Sequence, residues 1–304
     1  MKNKRNIKCI GLVLLITLII LVTSILIILN ILNNKQYTEL VQLSAQSSRQ
    51  MMGYILKTKD GKMIIIDGGT IDDTQNLMKY IEKNNNKVDY WFITHAHDDH
   101  AGAFTQIVNN ENIQIDNIYI SLNDYEWYEE NEPARAEFTK TLMETLKNEK
   151  IAKNVKEPIL NEMLEIDNIK VEILEIKNPE FTENPGNEQS MVIKFDTGKT
   201  TFLVLGDTGE KSSEKLLLTQ KEKLKSDIVQ MAHHGQAGAT EELYKQINPT
   251  ICMWPTPEWL WNNDPGTGEN TGIWKTFETR DWMKKLNVKK NYIAKDGDIT
   301  IKIK

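Results

Sequence analysis

Residues 94–102 read Thr94-His95-Ala96-His97-Asp98-Asp99-His100-Ala101-Gly102, and this stretch decides the fold class. Its first residue ends Val88-Asp89-Tyr90-Trp91-Phe92-Ile93-Thr94, a run read as a buried strand that stops at the first histidine, and the stretch leads into a helix from Ala101 to about Asn109. In the loop between them alternate side chains leave on one side, so His95 and His97 can grip one cation. Asp99 and His100 sit on the next turn and face a neighbouring position. Imidazole and carboxylate together suit zinc first, with manganese or iron as alternatives. An aspartate here could merely cap the helix, but a cap does not account for three histidines around it.

The chain has five histidines, and all fall in two clusters. The second is Met231-Ala232-His233-His234-Gly235, after the strand-like run Asp227–Met231. Adjacent residues on an extended loop point apart, so one of His233 and His234 is expected to bind metal, and the choice falls on His234. Between the clusters, Phe202-Leu203-Val204-Leu205-Gly206-Asp207 is a strand ending in a carboxylate placed to bridge two cations. Ligands at the ends of buried strands, on loops, are a common way to assemble a site.

Outward from these motifs the pattern alternates. Strands are expected at 52–57, 63–67, 163–166, 169–176, 191–195, 201–205, 227–231, 250–254, 291–294 and 299–303. Helices are expected at 72–84, 133–150, 214–223, 241–247 and 274–286. Two rounds of strand-then-helix units, with no repeat or linker over residues 51–304, predict two sheets with helices outside. Cys9 and Cys252 form no metal-binding spacing and no disulfide framework.

Residues 10–32 read IGLVLLITLIILVTSILIILNIL, without a charge. As a helix this run would be roughly 35 Å long, enough to cross a bilayer. It is longer than the apolar part of a cleaved signal and lacks a small-residue cleavage site. The expectation is therefore a basic cytoplasmic segment at 1–9, a membrane anchor at 10–32, a tether at 33–50 and an extracytoplasmic domain at 51–304. Lys2, Lys4, Arg5 and Lys8 are the only charges in the first 34 residues, so a formal net charge of −6 leaves −10 on the remainder. An acidic body disfavours a nucleic-acid partner. Composition carries no information on oligomeric state.

Four features in order, IIIDGG at 64–69, THAHDDHAG at 94–102, LGD at 205–207 and AHHG at 232–235, resemble the metallo-β-lactamase superfamily. Asn187-Glu188-Gln189-Ser190-Met191-Val192 and DGDITIKI at 296–303 are most similar to the ComEC-like metal-hydrolase domain of competence DNA-uptake proteins. The resemblance implies an αββα four-layer sandwich with two metal ions held by His95, His97, Asp99, His100, Asp207 and His233 or His234. It also implies that Asp67 supports the ligands from behind. Many members of that superfamily supply a further histidine before the bridging aspartate, and here none lies between His100 and His233. Asn187 and Ser190 occupy that region, where either could hold a water or a substrate oxygen.

The expected activity is metal-dependent hydrolysis by a metal-bound hydroxide, with Asp99 and Asp207 in catalytic positions. By resemblance the bond is a phosphodiester or phosphate ester, in a small molecule or a larger substrate. The alternatives are amide, ester or thioester hydrolysis, or a non-catalytic, metal-stabilised binding module. Two further segments stand out. Trp254–Trp274 (WPTPEWLWNNDPGTGENTGIW) is expected to form a loop pinned by aromatic anchors, or a lid or stacking platform. The acidic run 123–132 is expected to form a solvated rim.

Overall fold

A computed structural model describes residues 14–26 and 37–304. Its strands in chain order are β1 (Thr38–Gln42), β2 (Gly53–Lys57), β3 (Met63–Asp67), β4 (Lys87–Val88), β5 (Tyr90–Ile93), β6 (Gln114–Ile115), β7 (Ile118–Ile120) and β8 (Val155–Lys156). They continue with β9 (Met163–Ile166), β10 (Ile169–Glu175), β11 (Val192–Asp196), β12 (Thr201–Val204), β13 (Ile228–Gln230), β14 (Ile251–Trp254), β15 (Lys290–Ile293) and β16 (Ile299–Ile303). One sheet has the order β16-β1-β2-β3-β5-β7-β8 and the other β15-β14-β13-β12-β11-β10-β9, while β4 and β6 form a separate pair.

The pleat explains the layering. In β3, Ile64 and Ile66 face the second sheet, whereas Ile65 joins Leu77, Ile81 and Phe104 under the helices. Alternation repeats in β5, where Phe92 faces inward and Trp91 and Ile93 face outward. In β12, Phe202 and Val204 point inward, while Leu203 packs outward with Leu216, Leu243 and Met283. Both faces of these strands are buried, so they read as continuous apolar runs. Phe92 and Phe195 meet across the two sheets, edge to face, with ring centroids 5.9 Å apart. The result is helices, sheet, sheet, helices: the expected four layers.

Chain direction positions the site. β3 and β5 run parallel in one sheet, and β12 and β13 run parallel in the other. Their carboxyl ends deliver Asp67, the 94–102 loop, Asp207 and the His233-His234 turn to one edge, where sites of open α/β sheets form. Backbone bonds clamp that edge: Met191 N–H donates to Thr94 O (2.8 Å), His233 N–H to Gly206 O (3.1 Å) and Met52 N–H to Asp99 O (3.0 Å).

Several expectations are corrected. The stretch read as a tether contains β1, which pairs with β2 and β16 and buries Leu40. Its sequence, TELVQ, is short and half polar, and only a partner far along the chain makes it a strand. The helix expected from Ala101 starts at Asp98, with His97 as its N-cap residue. The acidic run expected as a solvated rim keeps Asp124, Glu126, Glu129 and Glu130 exposed, on and beside a helix, Tyr125–Asn131, that the sequence reading did not include.

The membrane span expected at 10–32 is also corrected. Among the described residues its helical part is residues 14–26, roughly 20 Å long at 1.5 Å per residue. No helix of the described residues is long and apolar enough to cross a membrane. The single-pass anchor and the extracytoplasmic placement that depended on it are withdrawn. Residues 1–13 and 27–36 lie outside the described residues.

Glu175, at the end of β10, gives a stability prediction. It is 3 % exposed, one carboxyl oxygen accepts from Asn178 Nδ2 (3.2 Å), and the other has no partner. Burial pushes its carboxyl well above the usual range, against the opposing pull of the Asn178 hydrogen bond and Lys215. A raised folded-state pKa means that the native state holds the proton more tightly than the unfolded chain. The associated stability is complete below the unfolded pKa and is lost as pH rises through the folded one. Glu175→Gln keeps the shape and removes the charge, so it is expected to raise the thermal midpoint at pH 8 by about 2–4 °C. The gain should vanish near pH 4, as checked by melting curves across that range.

Candidate metal centre

The side chains that the sequence singled out meet at one edge of the two sheets. His95, His100 and Asp207 present ligand atoms within 4.8 Å of one another, and so do Asp99, His100 and His234. Asp207 lies between the groups. Its Oδ1 is 3.2 Å from His100 Nε2, and its Oδ2 is 3.6 Å from His234 Nε2 and 3.9 Å from His95 Nε2. Asp99 Oδ2 lies 3.2 Å from His234 Nε2. The His97 ring packs against His95, with centroids 4.4 Å apart.

The outward nitrogens set the tautomers. His100 Nδ1 is 2.7 Å from Asp67 Oδ2, and His234 Nδ1 is 3.0 Å from Pro255 O. His233 Nδ1 meets Ala237 O at 3.0 Å. Each ring is therefore oriented with Nδ1 on a fixed acceptor and Nε2 turned inward, where it would offer a lone pair to a bound cation. His97 is the reverse: Glu132 Oε1 binds its Nε2 at 2.8 Å, which leaves Nδ1 free. His95 Nδ1 sits between Thr94 Oγ1 (3.1 Å) and Ser190 Oγ (3.3 Å).

Whether these residues fit metal ions is tested by their unsatisfied atoms. His95 Nε2, His100 Nε2, His234 Nε2, Asp99 Oδ1 and Asp207 Oδ1 are all buried without a hydrogen-bond partner. Leaving one buried polar group unpaired costs about 1–3 kcal/mol; the three imidazole nitrogens and Asp207 Oδ1 gather here, while Asp99 Oδ1 lies 3.7 Å from Arg135 Nη1. Neutral imidazoles and ionised carboxylates aimed at common points are the donor set of divalent cations. The residues fit.

The electrostatics of the bare cluster agree. His100 is raised well above the usual imidazole range because Asp207 and Asp67 outweigh its burial. His234 is raised, again against burial, by Asp207 and Asp99. Asp207 is held well below the carboxylate range, where His100 and His234 overcome its burial. His95 is pushed well below its usual value by burial, then by His100 and His97. The carboxylates thus draw protons onto two imidazoles, and a cation that binds must displace them.

The other expected residues take different places. Asp67 lies behind His100, and its carboxylate also accepts from Thr94 N–H (2.7 Å) and Thr94 Oγ1 (2.8 Å). Ser190 Oγ accepts from Asp207 N–H (2.9 Å), so it supports the strand end that carries Asp207. His233 stands at the mouth, 20 % exposed, with Nε2 4.0 Å from Asp207 Oδ2. Asn187 Nδ2 donates to Asn184 Oδ1 (2.7 Å) and lies 3.4 Å from His233 Nε2, while its Oδ1 is buried without a partner. His233 and His234 both have positive φ, a turn that sends the two rings to different places.

Three contributors escaped the sequence reading. Glu132, which orients His97, is one acid among many in the 123–132 run. Gln50, read as tether, donates from Nε2 to Asp99 Oδ2 (3.0 Å). Gly186 passes so close to the His97–Glu132 pair that a Cβ there would overlap His97 Nε2 and both Glu132 oxygens. None has a local signature, because each acts on a residue distant in the chain. Cys252 is remote from this chemistry: it is buried against Met283, and burial pushes its thiol up.

Comparison with known proteins agrees with this geometry. The family model described as metallo-beta-lactamase superfamily matches residues 53–248, well over half of the chain. ComE operon protein 3 of Bacillus subtilis (strain 168) is 23% identical over 171 residues, 55% of this chain. The chain spans only 20% of that relative's length. Among solved structures, the metallo-beta-lactamase fold protein YhfI from Bacillus subtilis aligns with a TM-score of 0.54 and 12% identity. Unliganded yeast PDE1 aligns with a TM-score of 0.55 and 13% identity. Each alignment covers 88% of this chain and 100% of the other, and at such identities the likeness is one of fold.

Proposed function

The chain belongs to the metallo-beta-lactamase superfamily, and on that premise we propose that it is a binuclear metal-dependent hydrolase of phosphodiester or phosphate-ester bonds. The observation that carries this reading is that the buried, unpartnered Nε2 atoms of His95, His100 and His234 gather around Asp207, within two groups of ligand-bearing residues. His95, His97 and Asp207 would hold one cation, and Asp99, His100, His234 and Asp207 the other, with zinc first and manganese or iron as alternatives. Bound there, divalent cations supply Lewis acidity and bring the ionisation of water close to neutral pH.

The protein's own groups do the positioning. Asp67, Glu132 and the Pro255 carbonyl hold the protons of His100, His97 and His234 on the outward nitrogens. Gln50 donates to the Asp99 oxygen that faces His234, and Arg135 Nη1 lies 3.7 Å from the other, so the carboxylate is held from both sides. At the mouth, His233 and Asn187 stand side by side, able to meet a phosphoryl oxygen and a leaving group. Resemblance of the Asn187–Val192 and HHG segments to the DNA-uptake branch favours phosphorus over a carbonyl carbon. The acidic body favours a small ester over a nucleic acid.

The test is turnover of bis(p-nitrophenyl) phosphate by the full chain, stripped of metal and reloaded separately with zinc, manganese and iron. Amide, ester and thioester chromogens serve as the competing panel. Absence of phosphodiester turnover under all three metals, with an acyl substrate cleaved instead, would replace this reading by the second. Two variants separate the adjacent histidines. His234→Ala is expected to lose metal, read by atomic emission, whereas His233→Ala keeps its metal and loses about 10²-fold in turnover.

A further inference from the structure

The tryptophan-rich segment after β14 was read as a set of anchors or a platform, and the structure divides it into both. Trp254 and Trp261 are anchors: their rings meet edge to face at 5.2 Å, and Trp254 Nε1 donates to Asn291 Oδ1 (2.8 Å). Trp261 also shares a cation with Phe277. The Arg280 guanidinium lies 4.2 Å from the Trp261 centroid and 4.5 Å from that of Phe277. The second pair, Trp259 and Trp274, sits edge to face at 4.7 Å, both half-buried, and no Lys or Arg of the described residues lies over either ring.

These two rings line a solvent-open cavity of about 840 Å³, together with Pro257, Pro265, Glu258 and Asp264. Ser47 and Ser48 are on its rim, and none of its lining residues is positively charged. Asp264 is fixed in place by Gly266 N–H (2.7 Å) and Gly268 N–H (2.8 Å), which hold its carboxyl below the usual range. An aromatic pair facing water beside two carboxylates attracts a cation: the ring faces are negative, and the acids add charge without supplying a competing donor. A weakly hydrated quaternary ammonium suits such walls better than an ammonium, which must give up tightly held water.

The cavity adjoins the metal centre along both walls. Trp259 Nε1 donates to Ser48 O (2.7 Å), and two residues further on Gln50 holds Asp99. On the other side, Pro257 lines the cavity, while Pro255 O accepts from His234 and Thr256 Oγ1 donates to His234 O (2.6 Å). The cavity and the metal centre therefore share two stretches of backbone, residues 48–50 and 255–257.

We infer that the Trp259–Trp274 cavity binds a quaternary ammonium group, of the choline type, carried by the substrate whose ester bond is cleaved at the neighbouring His/Asp cluster. The binding half stands on the cavity alone, and the substrate half rests on the phosphodiesterase reading.

The experiment titrates the full chain with choline and with 3,3-dimethylbutanol, its uncharged isostere, by tryptophan fluorescence and calorimetry. Choline should bind saturably and ~10-fold more tightly than the isostere. Trp274→Leu, which keeps apolar bulk without a ring face, should erase that preference, and Trp274→Phe should retain most of it. Equal binding of choline and the isostere, or an unchanged preference in Trp274→Leu, overturns the inference. With p-nitrophenyl phosphocholine, the KM should fall well below that for methyl p-nitrophenyl phosphate, and the difference should disappear in Trp274→Leu. Choline binding without turnover of any phosphoester keeps the cavity assignment and removes the phosphodiesterase reading together with the substrate half. Turnover of both esters with equal KM leaves that reading standing and overturns the inference.

Discussion

Asp207→Ala is expected to empty the metal centre in one step and to lower turnover by at least about 10³-fold. Its carboxylate lies within 4.0 Å of the Nε2 atoms of His95, His100, His233 and His234, so it touches ligands proposed for both cations. Removing a ligand of one cation weakens that cation; removing the shared one weakens both. The fold should persist, because the neighbouring Ser190 Oγ accepts from the backbone N–H of residue 207, which alanine keeps. Metal content by atomic emission reads the outcome, and retention of two equivalents would sink the bridging role. The same site predicts proton release on metal uptake, since His100 and His234 hold protons more tightly than ordinary imidazoles in the bare cluster. With both folded-state values raised, acid favours the metal-free protein and affinity climbs with pH up to those values. Calorimetry in buffers of different ionisation enthalpy measures the released protons.

Gly186→Ala is expected to cost about 10²-fold in turnover while leaving the fold intact. The backbone of Gly186 does not need a left-handed conformation, since it is absent from the glycines of positive φ. What it needs is the missing side chain: a methyl group would overlap His97 Nε2 and the Glu132 carboxylate. Backbone and imidazole cannot both stay in place, and misplacing a catalytic group by about 1 Å costs about 10²-fold. Melting temperature should move little, because the overlap falls on the ends of two side chains, and no residue of the short helix Pro185–Glu188 belongs to the apolar core between the sheets. A conservative partner, Glu132→Gln, tests the same contact from the other side. It keeps an acceptor oxygen for His97 but loses the charge, and should weaken metal binding less than Gly186→Ala. A Gly186→Ala protein with full metal content and full turnover would show that the His97–Glu132 contact is dispensable.

The parts of the fold legible in the sequence were those written in consecutive residues. Ile64–Ile66, Tyr90–Ile93 and Phe202–Val204 are apolar on successive positions because helices cover one face and a second sheet the other. The histidine motifs were legible for the same reason, since strand end, turn and ligand follow one another. The supporting residues were not. Glu132 matters through His97, Gln50 through Asp99 and Gly186 through the space it leaves, and none of these relations is local. β1 was hidden in a presumed tether because its partner on one side is β16. The 23-residue apolar run was legible as composition only; among the described residues no helix is long and apolar enough to cross a membrane.

The pairing of β1 with β16 also bears on synthesis. β1, β2 and β3 emerge early and can form an antiparallel sheet at once, but the outer edge of β1 waits for the last described strand. At ~5–20 residues per second, that wait lasts tens of seconds. Meanwhile a row of backbone donors and acceptors from Thr38 to Gln42 stays open to any other extended chain, including one from the next ribosome. Because Thr38 lies opposite Ile303, a short linker could join the two strands into a hairpin. A circular permutant opened at a surface loop elsewhere would then make β16 and β1 in succession, and should aggregate less during translation than the natural order.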